Sequence, residues 1–439
     1  MSLLTVIRNK LFWSYDQLNG GRIDRAYLEL KKFNEVDSNS ASLINHQKKV
    51  LGQLLEHAVN RTEYYGQLKG AGRDLNDFPI VNKHLIREEQ DKFIASPFDK
   101  NKLYMMATSG STGAPFVCYQ DVDKKKRVKA EVIYYSEKLG YAVGKRIIVL
   151  RAVVDQSRKS NLEQWMQNIV QIDVSTMDDE RIVRLLSEIE NLSKGGSLLL
   201  AYASTYDILK DFIMRKGMAY NCGIFGLVSI SEMFFDKTRK VMAEAFKCKC
   251  VSRYSNQENG ILGQDDFINN AFLLNEAHYI FEVLKTDSDT PAKTGEIGRI
   301  VITDLYNYAM PMIRYDTGDM GMISTMQYQD ISKNVITNFG GRKIDMIYDA
   351  DGNFLSPHKI SVAFWQYPEL TQFQFVQKGA KEYLVRLNVL GQFAKQKELE
   401  AELASMLGDS ARIEFEYTDF IPSLESGKRK YIQNDYYQG

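Results

Sequence analysis

Between Asn45 and Tyr64 apolar residues return at helical spacing (Val50, Leu51, Leu54, Leu55, Ala58), which predicts an amphipathic helix over 45–64. Further helices are predicted at 122–139, 178–194, 204–216 and 235–247. Between them stand short runs rich in Val, Ile and Leu: 146-RIIVL-150, 197-SLLLA-201, 224-IFGLVSI-230 and 299-RIVIT-303. Strands alternating with helices predict parallel sheets with crossover connections, an α/β architecture.

The pattern changes from about residue 341. Strand-like pieces 372-QFQFVQ-377, 383-YLVRLNV-389 and 412-RIEFEY-417 flank one strongly helical segment, 392–407, which suits a compact α+β module. At the junction, 338-NFGGRKID-345 carries two adjacent glycines able to act as a hinge. We therefore expect a large N-terminal domain over 1–340, with parallel or mixed sheets flanked by helices, and a small C-terminal domain over 341–439. A chain of 439 residues is long enough for more than one core. There is no internal repeat and no low-complexity segment.

Composition narrows the partners. The hydrophobic content of 44% and charged content of 26% are those of a soluble globular protein, and 56 acids balance 56 bases. That balance argues against a nucleic-acid partner and for small molecules. Apolar runs such as 147-IIVLRAVV-154 are too short for a membrane span, and the N-terminus lacks a secretory pattern, so a cytoplasmic location is expected. Four cysteines, two of them in 248-CKC-250, do not make a disulfide framework, and one intervening residue is too few for a zinc knuckle.

The stretch 108-TSGSTGAPF-116 is chemically suited to anions, because glycines let backbone N–H groups turn inward and hydroxyls add donors without bulk. Alone, such a cluster is also a common surface turn. It does not match G-x-x-x-x-G-K-[ST], since no lysine follows the second glycine. Four further polar clusters follow in order: 254-YSNQENG-260, 311-PMIRYDTGD-319, 340-GGRKID-345 and 422-PSLESGKRK-430. Together the five resemble the ordered motif series of the adenylate-forming superfamily of acyl-CoA synthetases, adenylation domains and luciferases. Within it, 15-YDQLNGGRIDRAYLELKKF-33, 78-FPIVNKHLIREE-89, the loop without lysine and 313-IRYDTGD-319 look like the phenylacetate–CoA ligase and capsular-polysaccharide (CapK-like) branch.

The resemblance implies attack of a substrate carboxylate on the α-phosphate of ATP, followed by transfer of the acyl group to a second nucleophile. Thr108, Ser109, Gly110, Ser111, Thr112 and Gly113 would cradle the β- and γ-phosphates. Glu258 matches the family's magnesium ligand, and Tyr254 and Ser255 in the same motif would border the nucleotide, although Ser255 and Gln257 stand where the superfamily carries glycine and threonine. Asp319 would accept both ribose hydroxyls, while Arg314 and Asp316 are as well read as structural neighbours. Ser231 and Glu232, in 229-SISEMF-234, fall where the family forms its adenine pocket, and Arg342 has a charge suited to ribose or phosphate. Ile344 stands where the family commonly has an acid. Lys428 matches the lysine that the mobile C-terminal domain inserts during adenylation.

The implied cofactors are ATP and Mg2+, with CoA as one candidate acceptor. The zinc site of some relatives is not expected, because 261–283 holds one histidine, His278, and no cysteine. The second nucleophile stays open: a sugar amine or hydroxyl in surface-polysaccharide synthesis, or the CoA thiol of an aryl- or acyl-CoA ligase. A non-catalytic nucleotide-binding protein is the third reading. The polar set Tyr202, Ser204, Ser229 and Asn256 points to a carboxylate bearing hydroxyl or amino groups. Relatives are often dimeric, and a homodimer stays open.

Overall fold

The computed structural model describes residues 3–436 apart from 71–73, 109–115, 152–166, 218–219, 221, 266–270, 294, 343–346, 356–359, 362, 365, 368, 390 and 423–429. The chain divides into two compact units: Met1–Phe234 with Thr238–Thr317 and Met322–Thr337, and Phe235–Lys237 with Gly318–Gly321 and Asn338–Gly439.

The first unit opens with helices α1 (Leu3–Leu18), α2 (Arg22–Asn34), α3 (Ala41–Arg61), α4 (Glu63–Gly66) and α5 (Lys83–Glu88). Helix α3 starts four residues before the apolar periodicity implied, because the Ser40 side chain accepts the N–H of Leu43 and caps it. It stops at Thr62, whose extended backbone ends the helix and whose hydroxyl caps α4. A hairpin of β1 (Tyr104–Thr108) and β2 (Phe116–Gln120) precedes α6 (Val122–Glu137).

Strands β3 (Arg146–Arg151), β4 (Ile169–Asp173), β5 (Ser197–Tyr202), β6 (Ile224–Ile230) and β7 (Lys249–Asn256) pair in parallel in the order β4-β3-β5-β6-β7. Parallel strands need crossovers, and α7 (Asp179–Ser193), α8 (Ala203–Lys216) and α9 (Asp236–Phe246) supply those from β4 to β5, β5 to β6 and β6 to β7. In α7 the side chain of Asp178 accepts the N–H of Arg181, and Ile182, Leu185, Leu186 and Ile189 bury one stripe against the sheet core. At about 1.5–3 kcal/mol for each fully buried aliphatic side chain, that stripe is the main reason α7 sits where it does.

Beyond β7 the sheet turns antiparallel through β8 (Gly260–Asp265), β9 (Phe272–Leu274), β10 (Tyr279–Leu284), β11 (Gly298–Asp304), β12 (Tyr315–Tyr328) and β13 (Ile331–Arg342). The order on that side is β7-β8-β9-β13-β12-β11-β10, with antiparallel pairing between β7 and β8, β8 and β9, β9 and β13, and β10 and β11.

The second unit adds short strands β14 (Ile347–Tyr348) and β15 (Phe354–Leu355), then β16 (Leu370–Gly379), β17 (Glu382–Val389), helix α10 (Gln396–Leu407), β18 (Arg412–Tyr417) and β19 (Ile432–Asn434). Its sheet runs β18-β17-β16-β19 and is covered by Leu399, Leu403 and Leu407 of α10. Helix α10 begins four residues later than the apolar pattern implied, and Phe393, ahead of it, packs edge-on against Tyr367.

Candidate functional site

Because β5, β6 and β7 are parallel, their carboxyl ends lie along one edge, the place where open α/β sheets bind ligands. The chain leaves that edge at Tyr202, at Ser231 and at the turn 257–259. Ser231 adopts a left-handed backbone, φ 68°, which turns the chain sharply off β6. The Glu232 carboxylate accepts the N–H of Ser204 at 2.8 Å, so it sits on the amino-terminal turn of α8, where an anion is favoured by the exposed N–H groups. Burial pushes the Tyr202 phenol up from its ordinary range.

Glu258, in the turn between β7 and β8, has a side chain only 1% exposed. Its Oε1 receives the Lys83 ammonium at 2.7 Å and the Tyr315 hydroxyl at 3.1 Å. Its Oε2 is buried and has no hydrogen-bond partner among the described residues. A buried carboxylate oxygen left without a donor is costly unless something else fills the place, and a hard cation is the natural occupant. Magnesium is commonly held by one or two carboxylates and completes its shell with water and phosphate oxygens, so a single open carboxylate oxygen fits it.

The turn itself is held from all sides. Gln120 of β2 donates to the Glu258 carbonyl at 2.8 Å, Tyr279 donates to the Asn259 carbonyl at 2.8 Å, and Glu131 accepts the Ile261 N–H at 2.8 Å. Gly260 has φ 124°, and a Cβ there would stand 2.4 Å from Glu131 Oε2, so both backbone and space require glycine. Behind the turn lies a buried polar network. The Lys124 ammonium pairs with Asp304 at 2.7 Å and donates to Tyr279 at 3.0 Å, while Asp304 accepts from Asn259 at 3.3 Å. His278 places Nδ1 2.8 Å from Glu131 and Nε2 3.1 Å from the Arg127 guanidinium. Burial, reinforced by the Arg127 charge, holds the His278 pKa well below its ordinary 6.5. A neutral ring that donates from Nδ1 and accepts at Nε2 satisfies both contacts.

Lys83 reaches Glu258 because its segment is stapled to the start of β12. The Val81 N–H donates to the Arg314 carbonyl at 3.1 Å, and the Asp316 N–H donates back to the Val81 carbonyl at 2.8 Å. Asn82 accepts the Leu85 N–H and opens α5 with Lys83 as its first residue. Arg314, in a left-handed backbone at φ 48°, bonds Glu282 at 2.8 Å and the Phe78 carbonyl at 3.1 Å, and Asp316 pairs with Arg299 at 2.7 Å. Arg314 and Asp316 therefore act here as anchors that bring Lys83 and Tyr315 to the same carboxylate.

Among the other sequence-derived candidates, Tyr254 is buried on β7 and its hydroxyl donates to Thr317 at 3.4 Å. Ser255 pairs in register with Ile261 across the β7–β8 hairpin. Asp319 lies on β12 within Gly318–Gly321, which count with the second unit, and is half-buried. Arg342 is the last residue of β13. Ser109, Gly110, Ser111, Thr112, Gly113 and Lys428 lie outside the described residues, and of Thr108 only the backbone, at the end of β1, is described.

Lys83, Tyr315 and Gln120 were not singled out from the sequence. Lys83 and Tyr315 stood inside motifs that carried the resemblance, 78–89 and 311–319, so the signal was present without a role attached. Gln120, one polar residue at the end of an apolar strand, carried no signal. Cys118, beside them on β2, is buried, and that burial followed by the Glu258 charge pushes its thiol up, away from nucleophilic use. Among the described residues no group of three or more His, Cys, Asp or Glu is arranged to hold a metal.

Residues 347–435 match the CapK C-terminal domain family. The matched residues fall within the second unit. Protein CapK of Staphylococcus aureus is 23% identical, over 93% of this chain and 92% of its own length, so the CapK likeness reaches well beyond that domain. Among solved structures, 2-hydroxyisobutyryl-CoA ligase in the postadenylation state with R3-HIB-AMP superposes with a TM-score of 0.72 at 16% identity, covering 92% of this chain and 91% of that one. The anthranilate CoA ligase AuaEII with anthranoyl-AMP gives 0.55 at 13%, covering 76% and 66%. The fold is that of the adenylate-forming ligases, as the five ordered motifs of this CapK-like chain implied.

Proposed function

We propose that this chain is an ATP-dependent, AMP-forming ligase that activates a small carboxylate and passes the acyl group to an acceptor. The observation that carries this reading is Glu258: one oxygen held by Lys83 and Tyr315, the other buried and open, at the carboxyl edge of a parallel sheet. In the first half-reaction a carboxylate oxygen of the substrate bonds to the α-phosphorus as the bond to the β-phosphate bridge breaks, releasing pyrophosphate. In the second, the acceptor attacks the acyl carbon and AMP leaves. Glu258 Oε2 would hold the magnesium ion, which supplies charge neutralisation for the phosphates. Lys83, paired with Oε1, fixes the carboxylate so that Oε2 faces its occupant, and adds a second positive charge near the same phosphates.

The remaining assignments follow from the motif series. The loop 108–113 cradles the β- and γ-phosphates, Tyr254 and the 231–232 turn border adenine, Ser255 lies beside the nucleotide, Asp319 accepts the ribose hydroxyls, and Arg342 faces ribose or phosphate. Lys428, carried by the C-terminal domain of 341–439, stabilises charge on the α-phosphate during adenylation and is withdrawn by rotation about 340–345.

The likeness to Protein CapK supports an acceptor amine or hydroxyl on a sugar of a surface polysaccharide. The likeness to 2-hydroxyisobutyryl-CoA and anthranilate CoA ligases supports the CoA thiol instead. Pyrophosphate exchange into ATP across a panel of carboxylates tests the first half-reaction, with hydroxy and amino acids expected to outpace fatty acids. Exchange with no acid in the panel removes the ligase reading, and undiminished exchange in Lys428→Ala removes that lysine from it. AMP release dependent on CoA, without any sugar, selects the thiol.

A further inference from the structure

Helix α1 leaves an aliphatic face to water. At about 100° per residue, Leu3, Ile7, Leu18, Leu11, Leu4 and Tyr15 share one arc of about 120°. All six are exposed, Leu4 by 65%, Leu11 by 64% and Leu18 by 86%. The opposite face meets the body of the protein, through the half-buried Phe12 and Trp13, which pack against the core between α2 and α6, and through polar contacts. Thr5 and Asp16 are buried there, and the Asp16 carboxylate accepts the N–H groups of Ile23 and Asp24 at 3.0–3.2 Å, capping α2. Asn9 donates to the Val143 carbonyl at 3.0 Å, and a Cβ on Gly144 would meet the Thr5 carbonyl at 2.5 Å, so α1 lies close against the body on that side. A surface helix ordinarily buries its apolar stripe, and a contiguous aliphatic face left to water marks an interaction surface.

The charges decide the occupant. On α1 the cations are Arg8 and the exposed Lys10, while the acid, Asp16, is spent on the α2 cap. The exposed residues of the adjoining α2 include Arg22, Arg25, Leu28 and Lys32, and Arg25 donates to the Gly20 carbonyl just past the end of α1. An aliphatic stripe bordered by cations is the chemistry of a helix lying in the plane of an anionic bilayer. A second copy fits less well, because a two-fold contact along α1 sets mid-helix Lys10 against itself. Among the described residues no helix is long and apolar enough to cross a membrane.

We propose that α1 seats the protein on anionic phospholipid surfaces, with its leucines in the acyl boundary and Lys10 and Arg25 at the headgroups. This does not depend on the ligase reading. The full chain is to be sedimented with vesicles of phosphatidylcholine, with and without roughly a third of phosphatidylglycerol. Binding to the anionic vesicles is expected, falling at least about tenfold in the triple variant Leu4→Ser, Ile7→Ser, Leu11→Ser and severalfold for wild type at about 0.5 M salt. The variant should keep the wild-type melting temperature, since the replaced side chains face water. Absence of wild-type binding to anionic vesicles overturns the proposal. So does equal binding by the triple variant, or a wild-type dimer in light scattering that the triple variant converts to monomer.

Discussion

Glu258 and Lys83 are the pair on which the candidate site turns. Replacing Glu258 by Gln keeps the shape and removes the charge, so pyrophosphate exchange should fall roughly 100-fold or more, the usual scale for losing one charge-stabilising group. Circular dichroism should show the fold intact. Replacing Lys83 by Met leaves a buried carboxylate with only the Tyr315 hydroxyl on Oε1. The Lys83 side chain is 33% exposed, so water screens part of the pair. A stability loss of about 1–2 kcal/mol by urea titration is expected, together with reduced exchange. Lys83→Arg should recover stability better than rate, because a guanidinium keeps the charge but not the point geometry. If Lys83→Met exchanges pyrophosphate at the wild-type rate, the lysine has no part in phosphate binding.

Elements position that pair, and the turn from β7 into β8 is the narrowest of them. Gly260→Ala should cost about 1–3 kcal/mol, since alanine at φ 124° is strained and its methyl would press on the Glu131 carboxylate. Exchange should fall with it, because Glu131 can no longer hold the Ile261 N–H and the turn must shift. A Gly260→Ala variant with wild-type stability by urea titration shows that the turn relaxes without strain. Sequence patterns were a good guide to the elements with strong periodicity: α7 and α8 fall within one residue of their expected bounds, and β6 and β18 match them. Hairpins such as β1–β2 and the long β12 and β13 were missed. In β12 and β13 the alternation is interrupted by Gly, Thr and Ser, and the partners of all these strands are chosen by the sheet rather than by local pattern.

At the scale of the whole molecule, buried ionisable groups behind the site tie stability to pH. His278 is neutral when folded, with its pKa held well below 6.5 by burial and Arg127. Above 6.5 neither state binds the proton. As pH falls below 6.5 the unfolded chain gains a proton that the folded one refuses, so stability is lost by up to about 1.4 kcal/mol per pH unit per group. Melting temperature should therefore decline from pH 6.5 downward, and His278→Gln should flatten that decline although it lowers the starting value. Parallel curves for the two proteins dismiss His278 as the group responsible.

Composition, periodicity and motif order were sufficient for the α/β class and for the place of Glu258 in a motif series. Each depends on residues close in sequence, whose spacing reports local geometry. The tertiary structure alone decided that Lys83, Tyr315 and Gln120 meet at Glu258, since they come from positions 83, 120, 258 and 315 and converge through strand pairing. It also decided that α1 turns Phe12 and Trp13 inward and leaves its leucines to water, because a helix's periodicity shows that it has two faces but not which one the rest of the chain will cover.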